Sequence, residues 1–241
     1  MTAAPLLIVK TGSAVAEVAA RRGDFEAWLT AGAGLRLSDV DVLDVRGGAP
    51  LPPPGAHRAV LVTGSAAMAS DHEPWSDRTA EWLGRAVEAG TWVLGVCYGH
   101  QLLAMGLGGR VGRNPRGREI GTIEVSMSER AQTDPLLATL PSPLVVQATH
   151  VEAVLDEPAG AEILGGNAMD PRQVVRFGER TWGVQFHPEF DADIMGGYIA
   201  ARRDVLLSEG LDADELLARV RDSDHGRRLL RRFAELGAHS R

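Results

Sequence analysis

A single cysteine in 241 residues excludes an internal disulfide framework, and with it the small secreted scaffolds that depend on one. A reduced, cytoplasmic setting is expected, which leaves Cys97 a free thiol. No stretch approaches the roughly 18 apolar residues of a membrane span, and residues 1–7 show no basic segment running into an apolar core, so neither span nor leader is expected. Positive charge is in deficit. The 25 Lys and Arg face 32 Asp and Glu, and a net charge of −7 argues against nucleic acid or an anionic membrane as partner. Aromatics are sparse at 5%, no internal repeat is present, and nothing reads as a P-loop, a cofactor motif or a metal-ligand cluster.

What is present is enough apolar material, 44%, to bury a sizeable core. Residues 6–9, 40–45, 59–62 and 92–96 read as strands, and residues 14–30 and 76–89 as helices, the second with Trp82, Leu83, Ala86 and Val87 on one face and Gly90 as its stop. Alternation at this length predicts an α/β fold with a doubly wound, mostly parallel sheet flanked by helices, whose sites form beyond the carboxyl ends of the strands. Shorter strands at 122–127, 144–148, 162–164 and 174–177 predict a smaller antiparallel or mixed portion beside it. Residues 47–54 read as a stiff Pro-rich connection.

The carboxyl-terminal part reads as helical. Ile194, Tyr198, Ala201 and Val205 share one helical face, Asp212 with Glu215 marks a helix start, and Leu229, Leu230, Phe233 and Leu236 form a further stripe. Arg227, Arg228, Arg231 and Arg232 give the last helix a basic face, read as solvated. The expected organisation is one domain over residues 1–200, with residues 201–241 as a helical extension packed on it.

The cysteine lies in Gly95-Val96-Cys97-Tyr98-Gly99-His100-Gln101, between the apolar Trp92-Val93-Leu94 and the helix-like Gln101 to Met105. Glycines two residues to either side allow the sharp strand-to-helix turn of a nucleophile elbow. The free amides and positive end of the following helix favour a thiolate at that position.

A nucleophile needs a base and something to orient the base. Thr181 to Phe186 reads as a buried strand, and Pro188 should end it at His187, leaving the His187 imidazole and the Glu189 carboxylate on one rigid tip. A carboxylate accepting the Nδ1 proton leaves Nε2 for the sulfur. Among the other histidines, His57, His72, His225 and His239 stand in polar contexts and read as solvated. His100 reads as a packing or hydrogen-bonding residue, and His150, with Glu152 near it in sequence, is the one competitor as base.

These two stretches, the Cys97 elbow and His187-Pro188-Glu189, resemble the class I, triad-type glutamine amidotransferase family over about residues 6–200. The Asp71-His72-Glu73-Pro74-Trp75 segment is similar to that of stand-alone members related to the amidotransferase half of GMP synthase. The resemblance implies Cys97 as nucleophile, His187 as general acid and base, and Glu189 as the group orienting it. It implies an oxyanion hole from the N–H groups of Gly64 and Tyr98, and substrate contacts from Gln101 and from Thr149, His150 and Val151. The chain departs from the common pattern at Thr63-Gly64-Ser65, where many members carry Gly-Gly-Pro or Asn-Gly-Pro, and at Val151, where a glycine is common. The implied function is hydrolysis of the glutamine side-chain amide, without a cofactor, with ammonia passed to an ATP-dependent synthetase on another chain. A γ-glutamyl amide or peptide hydrolase, and a non-catalytic binding or regulatory protein of the same fold, are the alternatives.

Overall fold

The computed structural model describes residues 6–238, so residues 1–5 of the segment searched for a leader, and His239, lie outside the described residues. In chain order the strands are β1 (Leu6–Lys10), β2 (Val40–Asp44), β3 (Ala59–Val62), β4 (Trp92–Val96), β5 (Arg110–Arg113), β6 (Glu119–Met127), β7 (Leu144–His150), β8 (Glu152–Asp156), β9 (Glu162–Gly166), β10 (Val174–Gly178) and β11 (Thr181–Val184). The helices are α1 (Ala16–Arg22), α2 (Phe25–Gly32), α3 (Pro74–Glu88), α4 (Tyr98–Gly106), α5 (Ala192–Ala201), α6 (Arg203–Ser208), α7 (Ala213–Arg219) and α8 (His225–Ala238).

Nine strands form one sheet in the order β2-β1-β3-β4-β11-β10-β9-β6-β7. The first five are parallel, and from β11 onward each pairing is antiparallel. The antiparallel portion therefore continues the parallel one edge to edge, and β5 with β8 forms a separate two-stranded ribbon.

Side chains alternate across each strand, so adjacent residues serve opposite faces. Leu6, Ile8, Leu61, Leu94, Trp182 and Val184 pack on one face with Leu29 of α2 and with Leu229, Leu230 and Phe233 of α8. Leu7, Val9, Val60, Val62 and Val93 pack on the other with Leu83 of α3 and Leu102 and Leu103 of α4. Burying one such side chain contributes roughly 1.5–3 kcal/mol, which is why both faces of the strands are apolar. Among the described residues no helix is long and apolar enough to cross a membrane.

Three differences from the sequence reading have local causes. The helix read over 14–30 is two helices, because Gly23 takes φ 80° and Asp24 then caps α2 through the Phe25 amide. The face read through Ile194 to Val205 is interrupted at Arg202, leaving Val205 exposed and Leu206 buried. Two of the basic side chains of α8 are bonded: Arg228 donates to the Thr139 carbonyl and Arg232 to that of Pro135. The predicted start of α7 is present, with Asp212 accepting from the amides of Asp214 and Glu215.

Candidate active site

β4 delivers Cys97 into its turn with φ 51° and ψ −100°, a region that residues with a Cβ rarely occupy. Backbone strain of this kind costs on the order of 1–3 kcal/mol and is retained where the surrounding structure over-determines it. Here the strand and helix press together: a Cβ on Gly95 would lie 2.4 Å from the Gly99 carbonyl oxygen. α4 begins at the next residue, so the Tyr98 amide is among those with no partner inside the helix. The Tyr98 side chain turns away to the Ser76 hydroxyl at 2.8 Å, and burial pushes its phenol up to about 12.

β11 leaves the sheet ladder at Val184, three residues earlier than Pro188 alone implies, because its neighbour β4 has already turned at Cys97. The chain stays extended: the Gln185 amide donates to the Gln173 carbonyl and the His187 amide to that of Gln147. His187 Nδ1 lies 2.7 Å from Glu189 Oε1, and both side chains are buried. Phe190 stacks on the imidazole at 4.2 Å and Phe25 lies 5.9 Å from the same ring, so the ring is held by aromatic contacts as well as at Nδ1. Burial opposes a charge on His187, but the Glu189 carboxylate and the Cys97 sulfur outweigh it, and its pKa is pushed up to about 10.

Gly64, past the end of β3, brings the two together. A Cβ built there would meet His187 Cε1 at 2.7 Å, His187 Nε2 at 3.6 Å and Cys97 Cβ at 3.7 Å, so sulfur-bearing and imidazole-bearing residues converge on one point. The Thr63 carbonyl is within hydrogen-bond distance of the buried Thr11 hydroxyl, 2.9 Å away. In a trans peptide this sends the Gly64 N–H the opposite way. The loop is therefore tied by β1's own continuation, across the point where the strand order reverses.

Gln101, Thr149, His150 and Val151 line one cavity with Cys97. The Gln101 side-chain amide donates to the Glu152 carbonyl at 3.0 Å and to Gln185 Oε1 at 3.1 Å, and Gln185 in turn donates to the Cys97 sulfur at 3.5 Å. His150 is not placed to act as a base. Its Nδ1 faces the Glu152 carbonyl and its Nε2 the Glu119 carboxylate, both at 2.9 Å, so both nitrogens are committed to acceptors. Burial opposes its protonation, yet the bond to Glu119 prevails and its pKa is raised. Asn167 and Gln173 also donate to Glu119, at 2.7 and 2.6 Å. A second cavity, lined by Ser13, Phe25, Ser65, Thr149, Tyr198 and Arg202 among others, reaches His187.

Among the described residues, the remaining histidines line neither cavity. His100 is fully buried against Phe177 at 5.5 Å, and burial pushes its pKa down to about 3, so it is a neutral packing residue. His72 is exposed beside Asp77. His57 and His225 correct the expectation of solvated side chains: His57 pairs with Asp41 at 3.0 Å, and His225 accepts the Val145 amide at 2.9 Å, occupying the edge of β7. Sequence reasoning passed over Glu119, Gln185, Arg202, Thr11 and Phe25. Only Gln185 had a local signal, as a polar residue inside the apolar run 181–186.

The architecture and these loops have relatives. The structure superposes on the crystal structure of a glutamine amidotransferase from Thermotoga maritima with a TM-score of 0.77 over 98% of this chain and 99% of that one, at 23% identity, a likeness of fold. The chain is 41% identical over 115 residues to a GMP synthase (glutamine-hydrolyzing) from Aeropyrum pernix, covering 48% of this chain and 22% of that protein. It is 29% identical over 138 residues to gamma-glutamyl peptidase 5 from Arabidopsis thaliana, covering 56% of this chain and 55% of that one. The chain thus spans about a fifth and about half of these curated relatives. The model of the glutamine amidotransferase class-I family matches residues 59–203, from β3 through the Cys97 elbow and His187 to the start of α6. A match over more than half of the chain, spanning the Gly64, Cys97, Thr149 and His187 segments, makes this protein a member of the class-I glutamine amidotransferase family.

Proposed function

We propose that the chain hydrolyses the side-chain amide of glutamine through a thioester on Cys97 and supplies the ammonia to an acceptor enzyme on another chain. The observation that carries this reading is the convergence at Gly64 of Cys97 and of a His187 ring held 2.7 Å from Glu189. An imidazolium beside the sulfur supplies the positive charge that a thiolate nucleophile needs. Attack on the amide carbonyl moves its π electrons onto oxygen. The amides of Gly64 and Tyr98 are the donors proposed for that oxygen, and loss of one such donor costs roughly 3 kcal/mol in the transition state.

His187 then gives its proton to the departing nitrogen, the C–N bond breaks, and ammonia leaves a γ-glutamyl thioester. At that moment the sulfur no longer carries the charge that helped to hold the proton on His187. The ring becomes a competent base, takes a proton from water, and the resulting attack expels the Cys97 thiolate with glutamate as product. Glu189 keeps Nδ1 protonated and Nε2 facing the reaction throughout.

Gln101, Thr149, His150 and Val151 are the proposed substrate contacts, supported by their place in the cavity with Cys97. An ATP-dependent synthetase is the proposed partner, as the GMP synthase relatives favour. Residues 1–200 are proposed as the amidotransferase unit and 201–241 as its helical extension, which is supported by Leu229, Leu230 and Phe233 sharing a core with the central strands. The likeness to a γ-glutamyl peptidase favours a second reading, hydrolysis of a larger γ-glutamyl amide by the same thioester route. Steady-state ammonia release from glutamine, set against cleavage of a panel of γ-glutamyl peptides, tests the two. A kcat/KM at least tenfold higher for glutamine is expected on the first reading, and the reverse order supports the second.

A further inference from the structure

Arg202 stands where α5 gives way to α6, and its guanidinium lies 4.8 Å over the ring of Tyr198, one helical turn earlier. It borders both the cavity that holds Cys97 and the one that reaches His187. Its Nη1 is buried and has no hydrogen-bond partner, and it enters no ion pair among the described residues. The charged and titratable groups acting on it are Tyr198, Arg118 and Cys97, none of them a carboxylate. Arg118, on the first cavity's wall, differs: its fork is filled by the Glu209 carboxylate, at 2.6 and 2.9 Å.

A cationic N–H group buried without an acceptor is costly, and such groups are kept where a ligand completes them. A guanidinium matches a carboxylate through two parallel hydrogen bonds. Glutamine and every γ-glutamyl compound with a free glutamyl end carry a carboxylate a short carbon chain away from the carbonyl that Cys97 would attack.

We propose that Arg202 selects glutamyl substrates, pairing its guanidinium, whose Nη1 is buried without a partner, with the α-carboxylate of the molecule whose side-chain amide lies against Cys97. The assignment rests on the reaction proposed at Cys97, and it applies equally to glutamine and to γ-glutamyl peptides. Arg202 is a specificity residue with no part in moving protons.

The test uses the full chain with Cys97→Ser, which binds without turnover, titrated calorimetrically with L-glutamine and with 4-aminobutanamide, which is glutamine without its α-carboxylate. Glutamine should bind at least tenfold more tightly. Adding Arg202→Met should weaken glutamine on the order of 10- to 100-fold and leave 4-aminobutanamide unchanged, with Arg202→Lys restoring part of the loss. Equal affinity for the two compounds before Arg202 is changed overturns the proposal, and so does a glutamine affinity indifferent to Arg202→Met or a loss shared by both ligands. If Arg202→Met fails to fold, the comparison of the two ligands on the Cys97→Ser chain and the Arg202→Lys variant decide. Glutamine binding that depends on Arg202, in a wild-type chain that releases no ammonia, removes the proposed reaction and leaves the carboxylate assignment standing. Absence of binding by either compound removes both.

Discussion

The imidazole of His187 is held at 2.7 Å by the buried carboxylate of Glu189, and the same ring stands against the Gly64 loop across from Cys97. Replacing Glu189 by Gln keeps the shape and removes the charge that fixes Nδ1 as the protonated nitrogen. Glu189→Gln is expected to lower kcat roughly 10³- to 10⁴-fold while the circular dichroism spectrum stays that of the wild type. A kcat within a few fold of wild type would show that His187 is oriented by other means.

Gly64 leaves no room for a side chain. A methyl group there would press to 2.7 Å from His187 Cε1, closer than carbon atoms approach without a shift. Gly64→Ala should therefore displace the ring or the loop and lower kcat/KM at least 100-fold, with the thermal midpoint changing by only a few degrees. Steady-state kinetics beside a thermal melt separates this local effect from unfolding.

The buried histidines set the pH dependence in opposite directions, His187 and His150 one way and His100 the other. Burial opposes a charge on His187, but Glu189 and Cys97 outweigh it and push its pKa from an ordinary 6.5 up to about 10. Between those values the folded form holds a proton that the unfolded form has released, so its contribution is complete below pH 6.5 and is lost as pH rises through about 10. His100, pushed down to about 3 by burial, stays neutral where the unfolded chain protonates. Its contribution is complete above pH 6.5 and lost as pH falls toward 3. Urea midpoints from pH 5 to 10 should show both slopes, the alkaline one reduced by His187→Gln, with the raised His150 supplying the remainder, and the acid one removed by His100→Leu.

The parts of the site legible in the sequence are those fixed by neighbours in the chain. Gly95 and Gly99 bracket Cys97, and Pro188 sits between His187 and Glu189, so turn geometry and residue order are the same information. The unbroken apolar runs of 6–9 and 59–62 likewise reflect burial on both faces. Groups assembled through the fold leave no such trace. Glu119 meets His150 from 31 residues away and Gln173 from 54, and Gln185 meets Cys97 from 88. Strand β5 was missed because Arg-Val-Gly-Arg offers one apolar side chain and therefore no period. The break at Gly23 and Asp24 was there to be read as a stop followed by a cap, and the apolar spacing on either side obscured it.

His150, on the wall of the cavity, pairs with Glu119, their side chains 1% and 5% exposed. Glu119→Gln leaves the His150 imidazolium buried beside a neutral amide, and a loss of about 3–5 kcal/mol is expected on urea unfolding. Because His150 and Val151 both line the cavity, KM should rise more than kcat falls.

Covalent capture of the nucleophile tests the central claim most directly. The wild-type chain is incubated with a glutamine-like electrophile, then weighed intact and mapped by peptide mass. One adduct per chain on Cys97 is expected, absent from Cys97→Ala and formed far more slowly in His187→Ala. An adduct on another residue, or a Cys97→Ala chain that still releases ammonia from glutamine at the wild-type rate, would contradict it.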